Sequence, residues 1–250
     1  MSRDHDKLPG PSLAQHFEAP DDYLGHFGWV CGYSADVPFL NDAAERFTRL
    51  TAAQRAHSGR IALGVFLDPG NPPITLLDAP GVAHLPIFDV AKKPFRLLHC
   101  KVALLGFRHA ENGARWRLRL IVSTANWTRQ TLEESLDLVW RIEIDSDALA
   151  KPDNETLQQA CADVRAAHGL LQWIAKYFDR RLLSASVPGR LNEAMHAKDQ
   201  FEGWVGLCSK RAKGQAQFFD SRSNSLLSQL PDQIKACSED VSRNYLAMGS

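Results

Sequence analysis

The sequence predicts an α/β fold, a mixed β-sheet with helices on both faces. Three observations predict it. First, an apolar run, "FGWVCGYSADVPFL" (27–40), precedes a helix-like stretch and a second apolar run, "RIALGVFLDPG" (60–70). Strand, helix, strand in that order is the pattern of a parallel crossover. Second, "PFRLLHCKVALLGF" and "LRLIVSTANWT" flank a loop containing Asn112 and Gly113, a strong hairpin signal. Both runs are apolar on both faces, as central strands covered from each side are. Third, apolar residues recur at 157, 160, 161, 164, 167, 171, 174 and 178, the spacing of one long amphipathic helix.

Taken in order, residues 1–22 are rich in Pro, Asp and His and lack the apolar core of a secretory signal, so they read as a loosely held segment. A lobe over 23–184 follows. Its first strand ends in a Ser-Ala-Asp turn, and Asn41 or Asp42 is a plausible N-cap for the helix "NDAAERFTRLTAAQRA". Asp-Pro-Gly stops the second strand, a short third strand falls within 82–88, and the hairpin comes next. "SLDLVWRIEI" (135–144) supplies a further strand before the long helix of 155–181. Beyond Ser184 the pattern thins, with a solvated basic turn at 210–213. Residues 185–250 read as a helical or irregular extension ending at 245–248 in what looks like the start of a strand.

The chain has 250 residues and 44% hydrophobic content, enough for one large domain or two small ones. Lys and Arg number 29, as do Asp and Glu, so the net charge is zero. That argues against a non-specific nucleic-acid coat and leaves a locally basic cleft open. No stretch approaches the roughly 18 apolar residues of a membrane span. The five cysteines (31, 100, 161, 208 and 237) are widely spaced and form no CxxC pair, which fits reduced thiols in a cytoplasmic protein. Paired zinc ligands are lacking, and Cys100 faces away from its neighbours as a structural thiol.

The candidate chemistry lies on the hairpin. His99 and Lys101 are two apart and would share one face of a strand. A lysine in so apolar a run is costly unless an anion meets it. Thr124 and Asn126 are also two apart, and if the strands are neighbours the four side chains converge. The ammonium, hydroxyl and carboxamide would bind the non-bridging oxygens of a phosphate while the imidazole attacks phosphorus. Asp137, on the next strand, would take the far ring N–H of His99 and fix its tautomer. Trp127 reads either as a cleft residue stacking on a base or as a core residue. The bland alternatives are a hydrogen-bonded core histidine and an edge-strand lysine.

These residues resemble the phospholipase D superfamily, whose signature is H-x-K, a spacer, G-S-x-N and a later acid. "HCK" matches fully; "STAN" matches in type, with Ser123 at the usual Gly and Thr124 at the usual Ser. The Thr, and a spacer without its usual acid, are similar to the tyrosyl-DNA phosphodiesterase and bacterial nuclease-like branches. Ser135 and Asp137 stand where bacterial members carry Asn-x-Glu, and "VCGYSADVPFL" and "LGVFLDPG" resemble the segments that open such domains. The likeness covers roughly residues 25 to 145.

It implies one half of a two-lobed sandwich and cofactor-free, metal-independent phosphodiester cleavage through a phosphohistidine. Nucleic acid is the favoured substrate, and a phospholipase, a phosphatidyl transferase or a non-catalytic binding module are the alternatives. Family sites take two motif copies, the second histidine protonating the leaving group, and this chain has one convincing copy. His196 and Lys198 form a second H-x-K in a polar segment with no Asn motif after it, which reads as coincidence. The second copy would come from a homodimer partner or from a C-terminal half for which "RNYLAMGS" is the opening strand.

Overall fold

The computed structural model describes residues 12–129, 137–152, 154–184 and 193–237. Its strands are β1 (Tyr23–Gly32), β2 (Leu63–Leu67), β3 (Val82–His84), β4 (Val102–His109), β5 (Trp116–Ser123) and β6 (Val139–Asp145). Its helices are α1 (Val37–Thr48), α2 (Ala52–Ser58), α3 (Ser146–Leu149), α4 (Glu155–Ala175), α5 (Arg181–Ser184), α6 (Glu193–Arg211) and α7 (Leu226–Cys237). The six strands form one mixed open sheet in the order β3-β2-β1-β4-β5-β6. β1, β2 and β3 are mutually parallel, whereas β1–β4, β4–β5 and β5–β6 are antiparallel. The C-terminal ends of β1, β2, β3 and β5 and the starts of β4 and β6 therefore share one edge of the sheet.

Each face of the sheet buries its own core. On one, Phe27, Trp29, Phe66, Val102, Leu104 and Leu120 pack against Leu157, Val164 and Leu171 of α4 and Phe201 and Trp204 of α6. Trp29 stacks on Phe66, and Trp116 on Trp204. On the other, Val30, Leu63, Leu105, Phe107 and Ile121 meet Phe39, Leu40, Ala43 and Phe47 of α1. Helices on both faces explain why β4 and β5 are apolar on both sides.

Several expectations need correction. Residues 12–22 are not loosely held: Leu13–Phe17 form a 3-10 turn whose Leu13, Ala14 and Phe17 are buried against α1. α1 starts before Asn41 and Asp42. Asp36 is the N-cap, its carboxylate accepting from the Phe39 N–H at 2.8 Å, because Pro38 suits the first helical turn. Its helix ends at Arg49 in a left-handed conformation, and Thr51 caps a separate α2. β3 stops at His84. The helix expected over 155–181 ends at Ala175, where the chain turns so that Phe178 can bridge to Ile87. The thin pattern after Ser184 hides α6, a 19-residue helix. The strand expected at 245–248 lies outside the described residues. No helix among the described residues is long and apolar enough to cross a membrane.

Candidate active site

His99 and Lys101 stand at the shared edge, but not inside a strand, because β4 begins at Val102. The ladder runs one residue further: the Ser123 N–H donates to the Lys101 carbonyl at 3.0 Å. The two side chains do lie together, with Lys101 Nζ 3.0 Å from both ring nitrogens of His99. Lys101 is only 6% exposed, whereas His99 opens to solvent. Burial and the Lys101 charge both hold the His99 pKa below its ordinary value. Burial also lowers the Lys101 pKa, with the nearby negative charges of Cys100 and Asp137 opposing it. The pair is thus a neutral imidazole beside a shielded ammonium.

Two residues that sequence reasoning passed over hold this segment. Asp68 is buried, and its carboxylate accepts from the N–H groups of Leu98 (2.8 Å) and Gly70 (3.1 Å). Its own N–H donates to the Tyr33 carbonyl, and the Tyr33 ring lies 5.4 Å from that of His99. Asp68 belongs to the Asp-Pro-Gly turn and Tyr33 ends the β1 segment. Their signal was position alone, since carboxyl ends of parallel strands are where α/β sheets gather function.

Thr124 and Asn126 arrive differently from the expected shared strand face. β5 ends at Ser123, whose hydroxyl accepts from the Ala125 N–H at 2.9 Å, and the chain bends. It then joins the end of β1: the Trp127 N–H donates to Ser34 O and the Asp36 N–H to Trp127 O, each at 3.1 Å. β4 lies between β5 and β1, so residues 124–127 cross the sheet edge beside the start of β4 on the way to β1. Asn126 is half-buried, and its Oδ1 is buried with no partner among the described residues.

Asp137 is not placed on His99. Thr124 and Leu138 continue the β5–β6 ladder, and the Thr124 hydroxyl donates to Asp137 Oδ1 at 2.8 Å while accepting from the Leu138 N–H at 3.0 Å. With β5 between β6 and β4, Asp137 acts on the pair through its charge, which opposes the lowering of the Lys101 pKa by burial. Thr124 has committed its proton to that carboxylate and is not a free phosphate donor here. The other oxygen, Asp137 Oδ2, is buried and has no partner among the described residues.

Trp127 lines no cleft. It is fully buried, its indole N–H donates to Cys31 O at 2.8 Å, and its ring meets those of Phe17 and Phe39. A Cβ at Gly32 would lie 2.4 Å from this ring, so only glycine fits there. His196 and Lys198 fall on α6, where residues two apart diverge by about 200°. They form no second H-x-K face. No family model, no curated protein and no solved structure matches this chain.

The chemistry open to the edge follows from its parts. A neutral, solvent-facing imidazole has one lone pair, which here accepts from Lys101 and is released for attack when the ammonium turns to a bound anion. Asn126 and the exposed rim of His99 add polar groups, and Asp68 and Tyr33 keep the segment in place.

Proposed function

We propose that this edge is the nucleophilic half of a phosphodiesterase site, that the sheet is one lobe of phospholipase D type, and that the substrate is nucleic acid. The observation that carries the reading is a buried Lys101 whose Nζ lies 3.0 Å from the ring nitrogens of an exposed His99. A lysine so placed needs an anion, and a phosphodiester supplies one at the position an imidazole can attack.

In this reading Lys101 and Asn126 hold the non-bridging oxygens. A ring nitrogen of His99 attacks phosphorus, the ester P–O bond breaks, and its electron pair leaves with the alcohol oxygen. Water then cleaves the P–N bond and restores His99. The proton for the leaving oxygen comes from outside the described residues, a second copy of the chain being the simplest source. The phosphate requires no cofactor in this scheme. Asp137 acts on Lys101 and Thr124 rather than on the histidine. Nucleic acid is favoured over lipid by the Thr at position 124 and by the likeness of the "HCK" and "STAN" stretches to tyrosyl-DNA phosphodiesterases. Four cysteines among the described residues are free thiols, in keeping with a cytoplasmic setting.

The test is hydrolysis of thymidine 5′-(p-nitrophenyl phosphate) in excess EDTA, beside p-nitrophenyl phosphorylcholine. The expected result is nucleotide-preferring turnover that falls roughly a thousandfold or more in His99→Ala. Turnover equal in that variant, or none in the wild type, would contradict the reading.

A further inference from the structure

Cys31 and Cys100 take no part in the chemistry above, yet their Sγ atoms lie 3.1 Å apart. Cys31 pairs across β1–β4 with Val102, and Cys100 stands two residues before Val102, so the thiols are diagonal neighbours on one face. That face is the α4–α6 core, where Cys31 is fully buried and Cys100 is half-buried. His99 and Lys101 leave the chain on the other side. Cys100 is the single residue between them, on a segment without regular secondary structure.

The geometry points to Cys31 and Cys100 as a redox-active dithiol that hydrogen peroxide closes to a disulfide, displacing His99 and Lys101 as it closes. Cys100 is the first to react because it alone of the two reaches solvent. Its thiolate attacks one peroxide oxygen, an S–O bond forms, the O–O bond breaks, and water leaves after taking up a proton. Cys31 then attacks the Cys100 sulfur: the S–S bond forms, the S–O bond breaks, and the hydroxyl departs as water with the Cys31 proton. Two thiols and one peroxide thus give one disulfide and two waters. The hydrogen bond from Cys31 and the Lys101 charge lower the Cys100 pKa against its burial and the opposing charge of Asp220, while burial pushes the Cys31 thiol up. That division suits an attacking and a resolving cysteine.

A disulfide requires an S–S separation of about 2.05 Å, so the sulfurs must close by about 1 Å. The shift is shared by the backbone between His99 and Lys101; a full misplacement of about 1 Å can cost catalysis about a hundredfold, and a part of it about tenfold. Cys161 and Cys208 offer an internal comparison. They too are hydrogen-bonded, but both are fully buried, so peroxide does not reach them.

The test treats the whole chain with hydrogen peroxide, then quenches with N-ethylmaleimide in denaturant and maps the thiols by mass. The reduced chain should take five labels, matching its five cysteines. The oxidised chain should take three, with one peptide pair joined through Cys31 and Cys100, and dithiothreitol should restore the rest. Five labels after oxidation, a link between Cys161 and Cys208, or a link between chains would each overturn the proposal. The second half, loss of turnover, rests on the proposed function. Hydrolysis should fall at least about tenfold on oxidation and return on reduction. Unchanged hydrolysis in the linked chain would overturn the displacement. A mapped disulfide with no hydrolysis in either state would confirm the dithiol and sink the phosphodiesterase reading instead.

Discussion

Lys101 sets the electrostatics of its neighbour. Together with burial, its charge keeps His99 deprotonated at neutral pH, the form a nucleophile needs. In a histidine-resolved NMR titration, His99 should titrate below the ordinary value of 6.5. In Lys101→Met the midpoint should move up towards that value; an unmoved midpoint would show that Lys101 does not act on the ring. The pairing of His99 with Lys101 was legible in the sequence because alternation persists just outside a strand. The partner of Asp137 was not, because it depends on which strand lies between β4 and β6. The role of Asp68 was equally hidden, since an Asp-Pro-Gly turn looks the same whether or not its carboxylate caps a distant segment. Asp68→Ala should raise amide exchange at Leu98 and His99 while sparing β5, and uniform exchange in both would refute its anchoring role.

At the scale of elements, Trp127 and Asp36 tie the site loop to β1. Trp127 fills the space over Gly32, and Asp36 both caps α1 and accepts from the Arg129 N–H at 2.8 Å. Trp127→Ala should destabilise the chain by about 3–5 kcal/mol, and Asp36→Ala by about 1 kcal/mol, in urea unfolding. A loss under about 1 kcal/mol for Trp127→Ala would mean that the ring is not packed as described. The elements easiest to read were those with strong local signals, such as the hairpin at Asn112 and Gly113 and the apolar spacing of α4. α6 escaped because Gly203 and Gly206 and a mixed composition dilute its pattern, and only Ala194, Ala197, Phe201, Trp204, Val205 and Cys208 mark its buried face. The start of α1 escaped because an apolar Val37-Pro38-Phe39 run reads as strand until Asp36 is seen capping it.

For the whole molecule, two cores on one mixed sheet followed from the crossover and the hairpin, while the strand order that builds the edge required the fold itself. That fold also buries histidines. His26 is held at about 4, chiefly by burial and then by the Arg60 charge, and burial lowers His16 and His84 as well. The unfolded chain takes up these protons near 6.5, the folded chain only at lower pH, so stability is lost as pH falls from about 6.5 towards 4. The urea midpoint should drop over that window, and less so in His26→Leu; an equal drop in both would exclude His26 as a source. The measurement that bears most directly on the account as a whole is mass analysis of the chain after reaction with thymidine 5′-(p-nitrophenyl phosphate) and an alkaline quench. The account predicts a nucleotidyl adduct on a ring nitrogen of His99, absent in His99→Ala and weakened in Lys101→Met. An adduct on another residue, or one that persists in His99→Ala, would contradict it.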